Sequence, residues 1–331
     1  MMLTGATRRL NLRRGALLFN VASSSSVRNP VGVGRKGKVN WMPRCSGARG
    51  DTVDVYWIGL DKYGGCDGLI KVVGERYLCE EDWEVVESTK DERTKVQRLV
   101  SRALRRWVLA QYEGVEGKEL AFGKDDKGKP YLRGSRTGVE FNVTHTPSVA
   151  SVCVGRDRAV GVDAETTSRR TKGGVERIAK RWFSQRELSK LEDMDSPGGT
   201  SEVPRMRRFY RLWTLKEAFL KATGLGISSG ISLRRCAFDF EDEEVETGES
   251  ISTKIRFEIL GGERGGSDNP VPPEPTLLGE DWGFATFEPR RGDIISLCWR
   301  RKEDESAQET KDTLVRPFIC TITPEGEITS M

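Results

Sequence analysis

The chain has 331 residues, 36% of them hydrophobic and 31% charged, enough for two ordinary domains or one large one around an apolar core. No run of about 18 apolar residues occurs, which argues against a transmembrane helix. Seven scattered cysteines (Cys45, Cys66, Cys79, Cys153, Cys236, Cys298, Cys320) with no C-x-x-C pair argue against a disulfide framework and a zinc site. The net charge of +4 does not indicate a nucleic-acid binder. Eight Arg and two Lys lie at or before Arg49 and the first acid is Asp51, so removing those ten charges leaves about −6.

In chain order, residues 1–50 come first, rich in Arg and Ser and free of acid. Leu3, Leu10, Leu17 and Leu18 lie among Arg8, Arg9, Arg13 and Arg14, as in a basic amphipathic import signal. The early Arg pairs point to a mitochondrion, with a plastid as the rival because of Ser23 to Ser26. Cleavage is expected between residues 25 and 50. "DVYWIGLD" (54–61) reads as a strand. In 91–112, Val96, Leu99, Val100, Ala103, Leu104, Trp107 and Val108 recur at spacings of three and four, which predicts a helix. "KDDKGKPYL" (124–132) is a turn and a short strand, and 139–165 holds a strand, a loop and a hairpin. Residues 173–194 read as one amphipathic helix, 195–204 as a loop, and "RLWTLKEAFLKATGLG" (211–226) as a helix ended by glycine. "LRRCAFDF", "STKIRFEIL", "WGFATFEP" and "DIISLCWRR" read as strands, and 261–275 as a Gly- and Pro-rich connection. After Lys302 the chain reads as a polar tail with one apolar patch, "FICTI". The mixed order predicts an α+β protein.

Two stretches carry chemistry. In "RAVGVDAE", Val160, Val162 and Ala164 alternate with Gly161, Asp163 and Glu165, so a strand would send the two carboxylates out of one face. Adjacent carboxylates repel unless a proton or cation intervenes. The pair is either a solvated acidic strand end or a ligand set for a hard divalent ion. In the helix after residue 210, about 100° per residue puts Leu212, Leu215, Phe219 and Ala222 on one side. Trp213, Glu217 and Lys221 form a file on the other, with Tyr210 and Gly224 near it and Lys216 on the flank. Glu217 could be one member of a surface Glu–Lys pair. Two large aromatics in the same file are poor residues to leave in water. A third carboxylate facing Asp163 and Glu165 would complete a magnesium site, and the lysines would suit a phosphate ligand. The lone His145, in "FNVTHT", is either structural or part of a loop near the acids.

Read jointly and in this order, "GKPYL", "FNVTHT", "GVDAE" and "WTLKEAFLKATGLG" resemble the 4′-phosphopantetheinyl transferases of the surfactin-synthetase-activating type, over about residues 54–300. The resemblance implies two similar α+β halves, residues 51–160 and 161–302, with the active site in the cleft between them, followed by a polar tail over 303–331. It implies Mg²⁺, coenzyme A as co-substrate, and transfer of the phosphopantetheine arm to a serine of an apo acyl or peptidyl carrier protein. The second product would be 3′,5′-bisphosphoadenosine, and the enzyme would be a holo-acyl-carrier-protein synthase serving fatty acid biosynthesis. Internal pairing of two halves would make a monomer sufficient, with neither nucleic acid nor membrane as a partner.

By motif, Asp163, Glu165 and Glu217 would hold the metal, with Glu217 and Lys221 catalytic. Lys216 and Lys221 would contact the phosphates, and Gly128, Lys129, Pro130, Thr144 and His145 would line the coenzyme A site. Where many members have Ser before the histidine, this chain has Thr144. The family's nucleotide-contacting Arg falls near Gln97, with Lys95 or Arg98 as substitutes. Arg177, Lys180 and Arg181, with Arg205, Arg207 and Arg208, are candidate contacts for an acidic carrier. A rival reading is a metal-dependent phosphohydrolase using the same carboxylates on a coenzyme A-like diphosphate, and a second is a binding protein that keeps the pocket without turnover.

Overall fold

The computed structural model describes residues 51–64, 67–169, 174–194, 202–225, 233–241, 251–260, 281–302 and 313–331. The basic leader (1–50), most of the 195–204 loop and the 261–275 connection lie outside the described residues.

Strand β1 (Thr52–Gly59) precedes helices α1 (Asp67–Tyr77), α2 (Glu80–Glu87) and α3 (Glu92–Glu113). A hairpin of β2 (Phe122–Lys124) and β3 (Pro130–Leu132) leads to β4 (Val139–His145), β5 (Val149–Arg156) and β6 (Val160–Thr166). Helices α4 (Gly174–Trp182), α5 (Gln185–Asp193) and α6 (Glu202–Thr223) follow. Strands β7 (Cys236–Asp239), β8 (Arg256–Ile259), β9 (Trp282–Arg290) and β10 (Asp293–Arg300) come next, then β11 (Leu314–Ile322) and β12 (Ile328–Ser330).

The result is a mixed α/β architecture in layers. One sheet runs β12-β11-β1-β5-β4 and another β6-β10-β9. In β1, Tyr56 and Ile58 join the core shared with α3, whereas Val53, Val55 and Trp57 join an inter-sheet core with Val162, Phe287 and Leu297. This period-two split is what a strand buried on both faces requires. The far face of the three-stranded sheet carries Phe284, Ile294 and Cys298 into a third core with Leu212, Leu215 and Phe219 of α6. Helix α3 starts at Asp91, whose carboxylate accepts the Thr94 amide at 2.8 Å, and ends at Gly114 with φ 68°.

Three expectations are corrected. Within 139–165 the hairpin is formed by β4 and β5, β5 pairing with β1 as well, while β6 crosses to the other sheet and pairs with β10. The edge strands β4 and β6 are joined through side chains instead. Asn142 Oδ1 accepts the Val162 amide and Thr144 Oγ1 the Ala164 amide, both at 3.1 Å. The single helix expected over 173–194 is instead two helices within 174–193, because Ser184 and Glu187 make a reciprocal capping box that starts a new helix after Phe183. The stretch after Lys302 is more than a polar tail. β11 lies parallel to β1 and covers its edge, Phe318 stacks on Tyr56 at 4.6 Å, and Arg316 grips buried Asp54 at 2.5 and 2.7 Å.

Candidate active site

The site is built where β6 lies against α6. Val160, Val162 and Ala164 point into the inter-sheet core, so Gly161, Asp163 and Glu165 face the helix. The approach is close because Gly161 lacks a side chain. A Cβ there would stand 2.1 Å from the Ala218 carbonyl oxygen and 2.5 Å from the Ala222 nitrogen. The helix then ends at Gly224, with φ 67°. Glu217 and Lys221, one turn apart, are thereby held over the strand's two acids.

Asp163, Glu165 and Glu217 share the wall of a 250 Å³ cavity with Tyr210 and Trp213. The aromatics are largely withdrawn from solvent, Trp213 less than Tyr210. Tyr210 is buried and donates to the Arg169 carbonyl at 2.7 Å, and Trp213 packs on the α6 core. Burial pushes Glu217 up to about 7, with the charges of Asp163 and Glu165 adding to the rise and Lys221 opposing it. Burial likewise raises Asp163 against the pull of Lys221, and Glu165 against that of Arg169. The three groups therefore sense one another electrostatically as well as lining one cavity.

Their oxygens are unevenly satisfied. Lys221 Nζ donates to Asp163 Oδ1 at 2.7 Å and to the Val162 carbonyl at 3.1 Å, and Arg169 pairs with Glu165 Oε1. Asp163 Oδ2 and Glu217 Oε1 are buried with no partner. Buried carboxylate oxygens are costly to leave unpaired. A hard divalent cation is the chemical complement of such a set. Among the described residues no three carboxylate, thiol or imidazole groups stand close enough to hold an ion as they are. The chain's own cations take up part of the charge instead. The residues present fit a magnesium ion in donor chemistry, with Asp163 and Glu217 offering the open oxygens.

A neighbouring cavity of 840 Å³ shares Asp163, Glu165, Arg169 with the smaller one and adds Thr144, His145 and Lys221. It collects cations from distant parts of the chain, namely Arg93 of α3 and Arg290 and Arg291 at the end of β9. Arg290 is tied to Asp61 and donates to the Ser148 carbonyl at 3.2 Å. His145 Nδ1 lies 2.8 Å from Gln97 Nε2, and burial lowers its pKa, reinforced by Lys221, Arg102 and Arg98. A neutral imidazole in a ring of cations is a fitting receptor for a polyanion's edge.

Several expected residues are elsewhere. Lys216 lines neither cavity: it is fully buried, 2.9 Å from Glu187, and donates to the Leu233 and Cys236 carbonyls at 2.9 and 2.5 Å. Neither Lys95 nor Arg98 lines the cavity, since Lys95 pairs with Glu87 at 3.1 Å and Arg98 donates to Thr89 at 2.8 Å. Arg93, overlooked in the sequence, stands there in their place. Lys129 and Pro130 line a different cavity, of 700 Å³, beside Gly224, with Gly128 in the same turn at φ 86°. That cavity shares no residue with the one around His145. Of the basic residues proposed for docking, Arg205 pairs with Glu176, Arg207 with Glu288, and Arg208 is buried over Phe240. Arg177, Lys180 and Arg181 do stand exposed on α4.

Residues 159–267 match the model of the 4′-phosphopantetheinyl transferase superfamily. The chain is similar to the 4′-phosphopantetheinyl transferase HetI of Nostoc sp., 36% identical over 38% of this chain and 51% of that protein. It is similar to the 4′-phosphopantetheinyl transferase of Bacillus subtilis, 32% identical over 39% of this chain and 53% of that one. The human L-aminoadipate-semialdehyde dehydrogenase-phosphopantetheinyl transferase is 27% identical over 64% of this chain and 63% of its own length. The chain spans about half the length of the curated relatives it matches first.

Proposed function

We propose, from the match of residues 159–267 to the 4′-phosphopantetheinyl transferase superfamily and from the similarity to its members, that the chain moves the phosphopantetheine arm of coenzyme A onto a serine of an apo carrier protein. The observation that carries the reading is the convergence of Asp163, Glu165 and Glu217 on one cavity that adjoins a larger, cation-lined one. In this proposal the fold comprises two pseudo-twofold halves, 51–160 and 161–302, with β11 and β12 returning to the first, and the larger cavity is the cleft between them.

Asp163, Glu165 and Glu217 would hold Mg²⁺, which when bound supplies Lewis-acid neutralisation of the diphosphate under attack. Lys221, 2.7 Å from Asp163 and open to the larger cavity, places a positive charge where the diphosphate lies. Arg93, Arg290 and His145 bind the nucleotide end. The serine oxygen attacks the phosphorus that carries the pantetheine arm. The bond from that phosphorus to the bridging oxygen breaks, and 3′,5′-bisphosphoadenosine leaves with the electron pair. Glu217, or a water beside it, would take the serine proton. Trp213 and Tyr210 keep water from the carboxylates.

The acceptor is a carrier protein with an acidic face, met by Arg177, Lys180 and Arg181 on α4. An electrostatic encounter of this kind slows as salt is added. The acceptor in fatty acid synthesis, an apo acyl carrier protein, is the first to try, with a monomeric enzyme. The leader would direct it to a mitochondrion or a plastid, which imaging of residues 1–50 fused to a reporter decides. Incubation with coenzyme A, Mg²⁺ and apo carrier tests the activity. The carrier gains the arm's mass on its serine if the reading holds. Breakdown of coenzyme A with an unchanged carrier would instead establish the phosphohydrolase.

A further inference from the structure

Arg169 has no role in the reaction described above, yet it stands in the wall of both cavities and pairs with one of the three carboxylates. Its backbone is fixed, because Tyr210 donates to its carbonyl at 2.7 Å. Its side chain is not, being 57% exposed while Glu165 is 11% exposed. The guanidinium occupies Glu165 Oε1, one of the two oxygens that carboxylate can offer a divalent ion. Lys221 is placed otherwise: it sits on Asp163 and is tethered as well by the Val162 carbonyl. Of the two cations that neutralise the acids, Arg169 is the one that can leave at small cost.

We infer that Arg169 is a partner-switching cation: it holds Glu165 while the site is free and turns to the diphosphate of the substrate once a divalent ion claims that carboxylate. The fork geometry of a guanidinium suits both partners, since it grips a carboxylate or a phosphate with two N–H groups. The larger cavity gives it somewhere to turn, because the same side chain lines that space beside Lys221 and Arg290. Metal alone competes with Arg169 for the charge of Glu165, whereas metal arriving with a diphosphate gives the guanidinium a new anion. The residue therefore couples the two binding events, and by linkage each ligand strengthens the other by the same factor.

The inference rests on the metal-site reading, and binding measurements separate the two. Mn²⁺ is titrated by electron paramagnetic resonance, with and without coenzyme A, into the wild-type chain, Arg169→Ala, Arg169→Lys and Glu217→Gln. Removing a half-exposed competing ion pair should tighten Mn²⁺ alone about two- to fivefold in Arg169→Ala. Losing a charge-assisted phosphate contact should weaken coenzyme A in the presence of Mn²⁺ about tenfold. Arg169→Lys, with the charge but not the fork, should fall between. Melting curves confirm that the variants fold. If Arg169→Ala binds Mn²⁺ no more tightly, or binds coenzyme A as well as wild type, while Glu217→Gln still weakens Mn²⁺, the switch is wrong and the metal site stands. If Glu217→Gln changes nothing and wild type binds no Mn²⁺, both are wrong.

Discussion

Helix α6 sends out two lysines, and each reaches a carboxylate, yet the two pairs do opposite things. Lys216 and Glu187 are sealed, at 0% and 1% side-chain exposure, and the ammonium also holds two carbonyls. Glu187 in turn accepts the Phe238 and Ser184 amides, so every charge has its bonds within the protein. Lys221 and Asp163 meet at the wall of an open cavity, with Asp163 Oδ2 and Glu217 Oε1 left unpaired beside them. A saturated, sealed pair locks α6 to α5 and β7. An unsaturated pair at a cavity keeps charge in reserve for a ligand.

Substitutions sharpen this contrast. The largest effect should come from Glu217→Gln, which keeps shape and removes the carboxylate proposed as a metal ligand. Transfer to the carrier should fall about a thousandfold, the upper end for loss of one electrostatic group, while the circular dichroism spectrum stays near wild type and the variant still unfolds cooperatively. At the sealed pair the loss should move from activity to folding. Lys216→Met strands Glu187 in the core and should cost roughly 3–5 kcal/mol in urea unfolding, and Lys216→Met combined with Glu187→Leu should recover much of it. If Lys216→Met instead folds normally and only transfer suffers, the two lysines have been assigned the wrong way round.

The pH dependence distinguishes them again. Glu217 is raised from 4.5 to about 7 in the fold, so the folded state holds its proton more tightly. Its stabilising contribution is complete below about pH 4.5 and is lost as pH rises through 7, on the order of 3 kcal/mol for a shift of that size. In metal-free buffer the stability of Glu217→Gln should therefore gain on wild type across that window, and the gain should shrink when Mg²⁺ is added. The smallest effect lies far from the cavity. Ser184→Ala removes half of the α5 capping box and should cost about 1 kcal/mol without touching transfer.

Much of the site was legible in local periodicity. The two-residue repeat of β6 put Asp163 and Glu165 on one face, and the helical file of α6 put Trp213, Glu217 and Lys221 on another. Lys216 was misread because α6 is covered on nearly every side, and a wheel does not say which flank meets protein. Its partner Glu187 comes from another helix. The break at Ser184 was present as S-x-x-E inside an unbroken apolar period, and the period concealed it. On α3, Arg93, Lys95 and Arg98 look alike as letters; Glu87 and Thr89 from the preceding turn claim the last two. Arg290 meets Asp61 across 229 residues, a pairing that only the assembled sheets create. The strand after residue 313 was missed because its burial is mixed and β1, the edge it covers, lies at the other end of the chain.

The most direct measurement is anomalous diffraction from crystals grown with Mn²⁺ and coenzyme A. The account predicts one peak within about 2.2 Å of an oxygen from each of Asp163, Glu165 and Glu217, with the coenzyme A diphosphate on its open side and Lys216 still sealed against Glu187. A bound ion that leaves Glu217 or either β6 carboxylate outside its ligands, or a diphosphate held away from that ion, would contradict it.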